Sequence, residues 1–266
     1  MIQGLQLINP EFAILTGAGL FSGGINALAG GGSFVSFPAL LLCRIPPIAA
    51  NATNAFATWP GLFSAFWGYR QRLLPHWRTL VMLSLLSLAG GTAGGLLVLC
   101  TPPRVFSHLV PYLLLFGTLL FVYSCVKHRG ATDAEITEEE ALVTLPQQAI
   151  DRRSIAQLLV SLYGGYFAGG AGILQIATLS MFGVEDLQFI LGLKNFFGVL
   201  MSGASLVTLM LGGKILWHEA AILTVGTIAG GYLGGRIAQK INPKVLRIAV
   251  AVFCALVTTF FFVKHR

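Results

Sequence analysis

Hydrophobic positions along the chain fall into long blocks rather than into strand-like alternation. Apolar segments run over about 12–29, 33–43, 47–69, 77–99 and 105–126, and the pattern resumes over about 155–169, 173–183, 187–212, 215–238 and 245–263. Most blocks approach the roughly 20 residues that a helix needs to cross a hydrocarbon core of about 30 Å. Backbone polar groups in lipid must pair internally, which leaves helices or a closed barrel. The ten-residue alternating segments of a barrel are absent. The expected fold class is therefore an all-α polytopic membrane protein.

The only long hydrophilic stretch, 128–153, carries Asp133, Glu135, Glu138, Glu139, Glu140, Asp151, Arg152 and Arg153. It divides the chain into a first transmembrane repeat (1–127), a polar, cytoplasmic linker (128–153) and a second transmembrane repeat (154–266). The two halves read as copies of one module. A shift of 140 residues places Gly24 on Gly164, Gly30 on Gly170, Trp77 on Trp217 and Pro103 on Pro243. The same shift superimposes Ala89-Gly90-Gly91 and Gly94-Gly95 on Ala229-Gly230-Gly231 and Gly234-Gly235. With 32 glycines in the chain a few would coincide by chance, but two of the four tryptophans in the same register would not. Duplicated helical halves are typical of secondary transporters, whose sites lie where the repeats meet.

Each half opens with an interrupted apolar run. Residues 12–43 would measure roughly 48 Å as one straight helix, too long for a bilayer, yet they are too short for two crossings. Gly30, Gly31, Gly32 and Ser33 sit where a glycine-broken or re-entrant helix would turn. Gly170, Ala171 and Gly172 occupy the matching place in the second half. Such a break presents backbone N–H groups at the positive end of a half-helix, an arrangement that binds anions; the competing role is close helix packing. A glycine there could also serve a left-handed backbone.

Intramembrane polar residues supply the other candidates for substrate binding. Asn26 interrupts the first apolar run, Thr53 and Asn54 (with Asn51) the third, and Lys194 and Asn195 the one beginning near 187. The repeat shift places Lys194 on Asn54. A buried ammonium is expensive and is usually retained to meet an anion or a carboxylate, although a lysine near a helix end also snorkels. The i,i+4 glycine pairs in 90–95 and 230–235 read as packing surfaces. Trp77, Trp217 and Tyr69 read as interface anchors, and Glu219 as a first-turn carboxylate suited to the helix dipole.

Composition narrows the choice further. The chain is 55% apolar and 10% charged with a mean hydropathy of +0.79, against about a quarter charged residues in soluble domains. Its formal charge of +7 comes from span ends rather than from an aromatic-interleaved basic patch, so nucleic acid is not an expected partner. Cys43, Cys100, Cys125 and Cys254 show no metal-ligand spacing and read as buried free thiols. The start of the chain lacks the basic region of a cleavable signal peptide. No HExxH, GxSxG, Walker loop or paired intramembrane carboxylate is present, so neither an enzyme nor a cofactor or metal is implied.

The stretch Gly24-Ile25-Asn26-Ala27-Leu28-Ala29-Gly30-Gly31-Gly32-Ser33, followed by Ser36-Phe37-Pro38-Ala39-Leu40-Leu41, resembles the sulfite exporter TauE/SafE family. So do Pro46-Pro47, Ala52-Thr53-Asn54, Trp67-Gly68-Tyr69-Arg70, the run Gly165 to Gly172 and the glycines between Gly230 and Gly235. The resemblance implies a multi-pass protein of the bacterial inner membrane that exports sulfite, sulfonates or similar small anions, driven by an ion gradient. Members of this family commonly carry an acidic residue where this chain has Asn26. They often carry a basic one where it has Ala55, which leaves Lys194 more prominent here. The implied partners are a small anionic substrate, the lipid bilayer and a coupling proton or sodium ion, with a homo-oligomer compatible.

Two topologies stay open at this level. With re-entrant breaks the halves are inverted, and Arg70, Arg78, Lys127, Arg152, Arg153 and Arg236 share one face with the linker, as the positive-inside bias requires of a cytoplasmic side. If the first helices cross fully, the halves are parallel and the bias weakens. The inverted arrangement is the expectation. A channel on the same scaffold is the alternative to a transporter, and a membrane enzyme or assembly factor stands further behind.

Overall fold

The computed structural model of the chain describes residues 10–29, 31–73, 77–127, 152–182, 184 and 187–238, with the isolated positions 252, 255, 256 and 259. Gly30, most of the polar linker and most of the last expected helix lie outside the described residues. Among the described residues the fold is all-helical. The elements are α1 (Pro10–Ala29), α2 (Ser33–Leu42), α3 (Pro47–Leu73), α4 (Trp77–Cys100), α5 (Pro103–Lys127), α6 (Arg152–Tyr166), α7 (Ala171–Met181), α8 (Leu187–Leu211) and α9 (Trp217–Ala238).

Local chemistry explains several of the boundaries. Pro10, Pro47 and Pro103 each open a helix, where a missing N–H costs nothing and the fixed φ is already helical. Glu11 and Glu219 lie in first turns, where a carboxylate complements the dipole. Both expected breaks are present, since α1 ends at Ala29 before α2 begins at Ser33, and Phe167–Gly170 separate α6 from α7. The second break comes slightly earlier than the sequence suggests, with Gly172 already inside α7.

α3 and α8 start 140 residues apart, as do α4 and α9. Packing repeats in the same sense but with partners exchanged: α1 lies along α9 of the other half, and α6 lies along α4. Glycines make both approaches possible. A Cβ on Gly94 would meet the backbone of Leu162, Gly165 and Tyr166, and one on Gly230 the backbone of Leu20. Gly91 and Gly95 lie in the same way against Met201 and Ser205 of α8. This agrees with reading these residues as packing surfaces.

At the centre α3 and α8 cross antiparallel, with Gly192 near Tyr69 and Leu73, Gly198 near Leu62, and Gly203 near Trp59. Trp59 Nε1 donates to the carbonyl of Val199 at 3.1 Å, joining two positions related by the repeat shift. Each short helix folds back along its predecessor. Gly32 lies against Ser22 and Asn26, and the Cys43 thiol, just past α2, is pushed up by burial and by the carboxylates of Glu11 and Glu219. In the second half Arg153, at the start of α6, lies over the ring of Phe182, just past α7, at 5.8 Å.

The outer surface is apolar, with Phe21, Leu85, Val225, Ile228 and Leu211 all exposed, as a lipid-facing belt would be. By length and apolarity alone, Leu80–Cys100 and Phe189–Leu211 are the two described helical stretches sufficient to cross a membrane. Among the described cysteines Cys43 is half-buried and Cys100 exposed. The expected burial therefore fails at Cys100, which ends α4 rather than facing a neighbouring helix.

Candidate functional site

Neutral polar side chains gather in the interior of each half. In the first half Ser22 donates to Ser36 at 3.1 Å and Ser36 donates to the Asn54 carbonyl oxygen. These residues come from α1, α2 and α3 and are all buried. The Nδ2 of Asn54 has no hydrogen-bond partner.

The second half holds a larger cluster. Gln175 of α7 donates to Gln157 Oε1 of α6 at 2.8 Å. Gln157 donates in turn to Ser87 of α4 at 2.9 Å and to Ser161 at 3.2 Å. One turn earlier on the same face of α6 lies Ser154, 3% exposed and with an unpartnered hydroxyl. The hydroxyl of Ser180 on α7 is unpartnered as well. Buried polar groups are nearly always paired, so unpaired ones call for an explanation.

Lys194 lies on α8, which packs beside α4, α6 and α7. It shares a face of α8 with Met201, seven residues on. Met201 lies against both Gly91 of α4 and Gly164 of α6. One further turn along, Ser205 donates to the Gly165 carbonyl at 2.6 Å. The three helices run parallel here, so two turns back Lys194 stands level with Ser84 and Gln157. It is 4% exposed, and no hydrogen-bond or ion-pair partner for it occurs among the described residues. Asn195 beside it is also buried. Leu193 and Phe197, flanking Lys194 and Asn195 on α8, pack with Ile176, Leu179, Leu80 and Leu83.

The candidates named from sequence are thus distributed rather than gathered at one point. Asn54 and Lys194 each lie five residues before the Trp59–Val199 contact on antiparallel helices. They fall on opposite sides of the crossing, about 15 Å apart along the axis. The two breaks do approach one another, with Gly31 near Ile173 and Phe34 near Gly170. Between them lies the ring of Phe34, 1% exposed, packed against Gly117 and Gly170.

Thr53 accepts from the Leu216 N–H at 3.1 Å and so satisfies the backbone ahead of α9. Asn26 is half-buried beside Gly32, Ser33 opens α2, Ala171 opens α7 and Gly172 follows it. A left-handed glycine occurs in the second break, at Gly170 with φ 81°. Gly32 has φ −55°, and its small size serves the close approach of Ser22 and Asn26 instead. Asn51 clamps the second break by donating to the Tyr166 carbonyl at 2.9 Å and accepting from the Ala168 N–H at 3.3 Å. Ser154, Gln157 and Gln175 are not among the residues singled out from the sequence. For Ser154 and Gln157 the signal is a polar residue recurring at helical spacing on α6, which Ser161 continues.

The family model described as sulfite exporter TauE/SafE matches residues 15–261. The chain belongs to this family. Among its curated relatives, a probable membrane transporter protein of Haemophilus influenzae is 26% identical over 92% of each chain. The probable membrane transporter protein ORF9 of a Sinorhizobium species is 29% identical, over 92% of this chain and 90% of its own. The probable membrane transporter protein YfcA of Escherichia coli K12 is 24% identical, over 96% and 91%. No solved structure matches the chain. With these relatives and its apolar helices, this TauE/SafE member is a membrane transporter.

Proposed function

We propose that this TauE/SafE-family protein is an ion-coupled secondary exporter of small sulfur-containing anions, which bind beside Lys194 where α4, α6, α7 and α8 meet. The observation that carries the reading is Lys194, a lysine in a packed interior with no counter-charge among the described residues. An intramembrane ammonium costs several kcal/mol unless something pairs with it, and a transported anion is a partner that comes and goes. Ser154 adds a second unused donor. The break residues Gly31, Gly32, Ser33, Ala171 and Gly172 lie at the starts of half-helices, whose dipoles favour negative charge along the path. The family name favours sulfite and related anions as cargo.

An inverted pair of re-entrant repeats accommodates these features. The antiparallel crossing of the equivalent helices α3 and α8 supports an axis lying in the membrane plane. The return of α2 toward the start of α1, and of α7 toward the start of α6, supports hairpins that enter and leave on one side. In this proposal the central linker is cytoplasmic and the protein crosses the bacterial inner membrane several times.

The test is counterflow in proteoliposomes loaded with sulfite, thiosulfate, methanesulfonate or acetate, with proton and sodium gradients imposed in turn. Saturable counterflow of a sulfur-containing anion that responds to one gradient is expected. Anion flux that neither saturates nor shows counterflow would mean a channel and would overturn the proposal.

A further inference from the structure

We infer that the gap between α3 and the α1–α9 pair is a water-filled entry from the Arg70 end of the protein. Transport closes this gap and opens its repeat equivalent, between α8 and the α4–α6 pair. The inference rests on the inverted arrangement proposed above and deepens it by saying which side is open; it needs neither Lys194 nor the identity of the cargo.

Equivalent helices make different contacts in the two halves. In the second half Met201 of α8, 2% exposed, fills the junction with α4 and α6. A Cβ on Gly91 would stand 2.7 Å from Met201 Cα, and one on Gly164 would stand 2.8 Å from its Sδ. One turn on, Ser205 donates to the Gly165 carbonyl at 2.6 Å. The repeat shift puts Gly61 on Met201, Gly231 on Gly91 and Gly68 on Thr208. Here α3 and α9 touch where the Thr227 hydroxyl donates to the Ala57 carbonyl at 2.8 Å, and then they part. The nearest described atom to a Cβ on Gly231 is the Gly23 carbonyl oxygen at 3.8 Å, and to one on Gly61 it is Asn26 Nδ2 at 3.9 Å. Beside Gly68 nothing described lies within 4 Å. α1 stays on α9 at this level, since a Cβ on Gly23 would meet the backbone of Thr227 and Gly231. It is α3 that stands away.

The chemistry of the face so exposed says what fills the gap. Gly61, Ser64, Gly68 and Gln71 share one face of α3, and all four are exposed. The exposed faces of α4, α6, α8 and α9 carry Leu85, Leu159, Val207 and Val225 instead, as lipid contact requires. A small and polar stripe about 15 Å long, half the hydrocarbon thickness, suits water. Its outer end lies beside Arg70, and its inner end meets the Asn26 amide at the first break. Because α3 and α8 cross antiparallel, the closed junction at Met201 lies toward the opposite end. Repeats that exchange conformations about such an axis give alternating access.

The test is cysteine labelling of the full-length protein in sealed vesicles of both orientations, in a background cleared of native cysteines. The probe is a charged, membrane-impermeant methanethiosulfonate. Gly61→Cys and Gly68→Cys should react from the Arg70 side, about tenfold faster than Met201→Cys and Thr208→Cys. Oxidation should bridge Gly61→Cys to Gly231→Cys, because closure brings these positions to the spacing of Met201 and Gly91, within disulfide reach. In a protein that also carries Gly68→Cys, the bridge should cut its labelling about tenfold. Gly61→Cys and Gly68→Cys inert to the charged probe would mean a face covered by lipid and would overturn the inference. Labelling of both from either side would mean a channel, overturning the inference and the transporter reading together. Equal labelling of the α3 and α8 positions from one side, or no bridge on oxidation, would overturn the exchange while leaving the anion site beside Lys194 untouched. Ser64→Cys, nearly isosteric, repeats the measurement should a glycine variant not fold.

Discussion

Two glycines that look alike in the sequence should respond in opposite ways to one added methyl group. At Gly91 a Cβ would stand 2.7 Å from Met201 Cα and closer still to its carbonyl oxygen, both backbone atoms that cannot rotate aside. Carbon atoms pack at about 3.5–4.0 Å, so α4 and α8 would have to part by about 1 Å along a contact that Gly95 and Ser205 continue. Overpacking of this kind costs about 1–3 kcal/mol. For a chain of this size each kcal/mol moves the melting temperature by roughly 2–4 °C, so Gly91→Ala should melt roughly 2–12 °C early. At Gly31 the nearest atoms to a new Cβ are side-chain carbons of Phe34, Ile25 and Ile173 at 3.6 to 4.0 Å, an ordinary contact distance. Its φ is not in the left-handed region either. Gly31→Ala should therefore melt within about 2 °C of wild type. Differential scanning fluorimetry in one detergent measures both variants. A Gly31→Ala protein as unstable as Gly91→Ala, or an unaffected Gly91→Ala, would refute the packing described for α4 and α8.

Further outcomes follow from the polar interior. Gln157→Leu strips Gln175 and Ser87 of their partner and should destabilise by about 1–3 kcal/mol, read as an early melt, whereas Ser154→Ala, whose hydroxyl bonds to nothing, should leave the ligand-free melting temperature nearly unchanged. Asn51→Ala removes both bonds that hold Tyr166 and Ala168; hydrogen exchange should quicken over residues 166–170 while the middle of α8 stays protected. In a background cleared of native cysteines, Arg44→Cys and Lys214→Cys should react with an impermeant thiol reagent from the side opposite Arg70→Cys, and labelling of all three from one side would contradict the inverted arrangement.

Periodicity and length carried most of the architecture. Apolar blocks predicted the helices closely because a span must be continuous and apolar, and the shift that aligns Trp77 with Trp217 aligns the starts of α4 and α9. The length misfit before Pro38 located the first break for the same reason. The exchange of partners between halves was not legible. Glycine pairs show that a helix has a close neighbour but not which one, and α1 could as well have packed within its own half.

The candidate site was legible only where the residue type is costly in itself. Lys194 stands out in any apolar run, whereas Ser154, Gln157 and Gln175 acquire meaning only through the parallel register of α4, α6 and α8. Thr53 and Asn51 show the converse, since both look like binding residues yet spend their hydrogen bonds on nearby backbone. At the breaks, the left-handed backbone that glycine tolerates is used at Gly170, and close packing accounts for Gly32.

The central claim is that the Lys194 ammonium is held in the interior to meet a transported anion. Sulfite counterflow in proteoliposomes tests it most directly, run side by side for wild type, Lys194→Ala and Lys194→Arg at matched protein incorporation. The account predicts that the Ala variant is inserted and monodisperse yet without counterflow. It predicts that the Arg variant retains a small fraction of activity, because a forked guanidinium keeps the charge but not the shape of an ammonium. Full counterflow in Lys194→Ala would contradict the account.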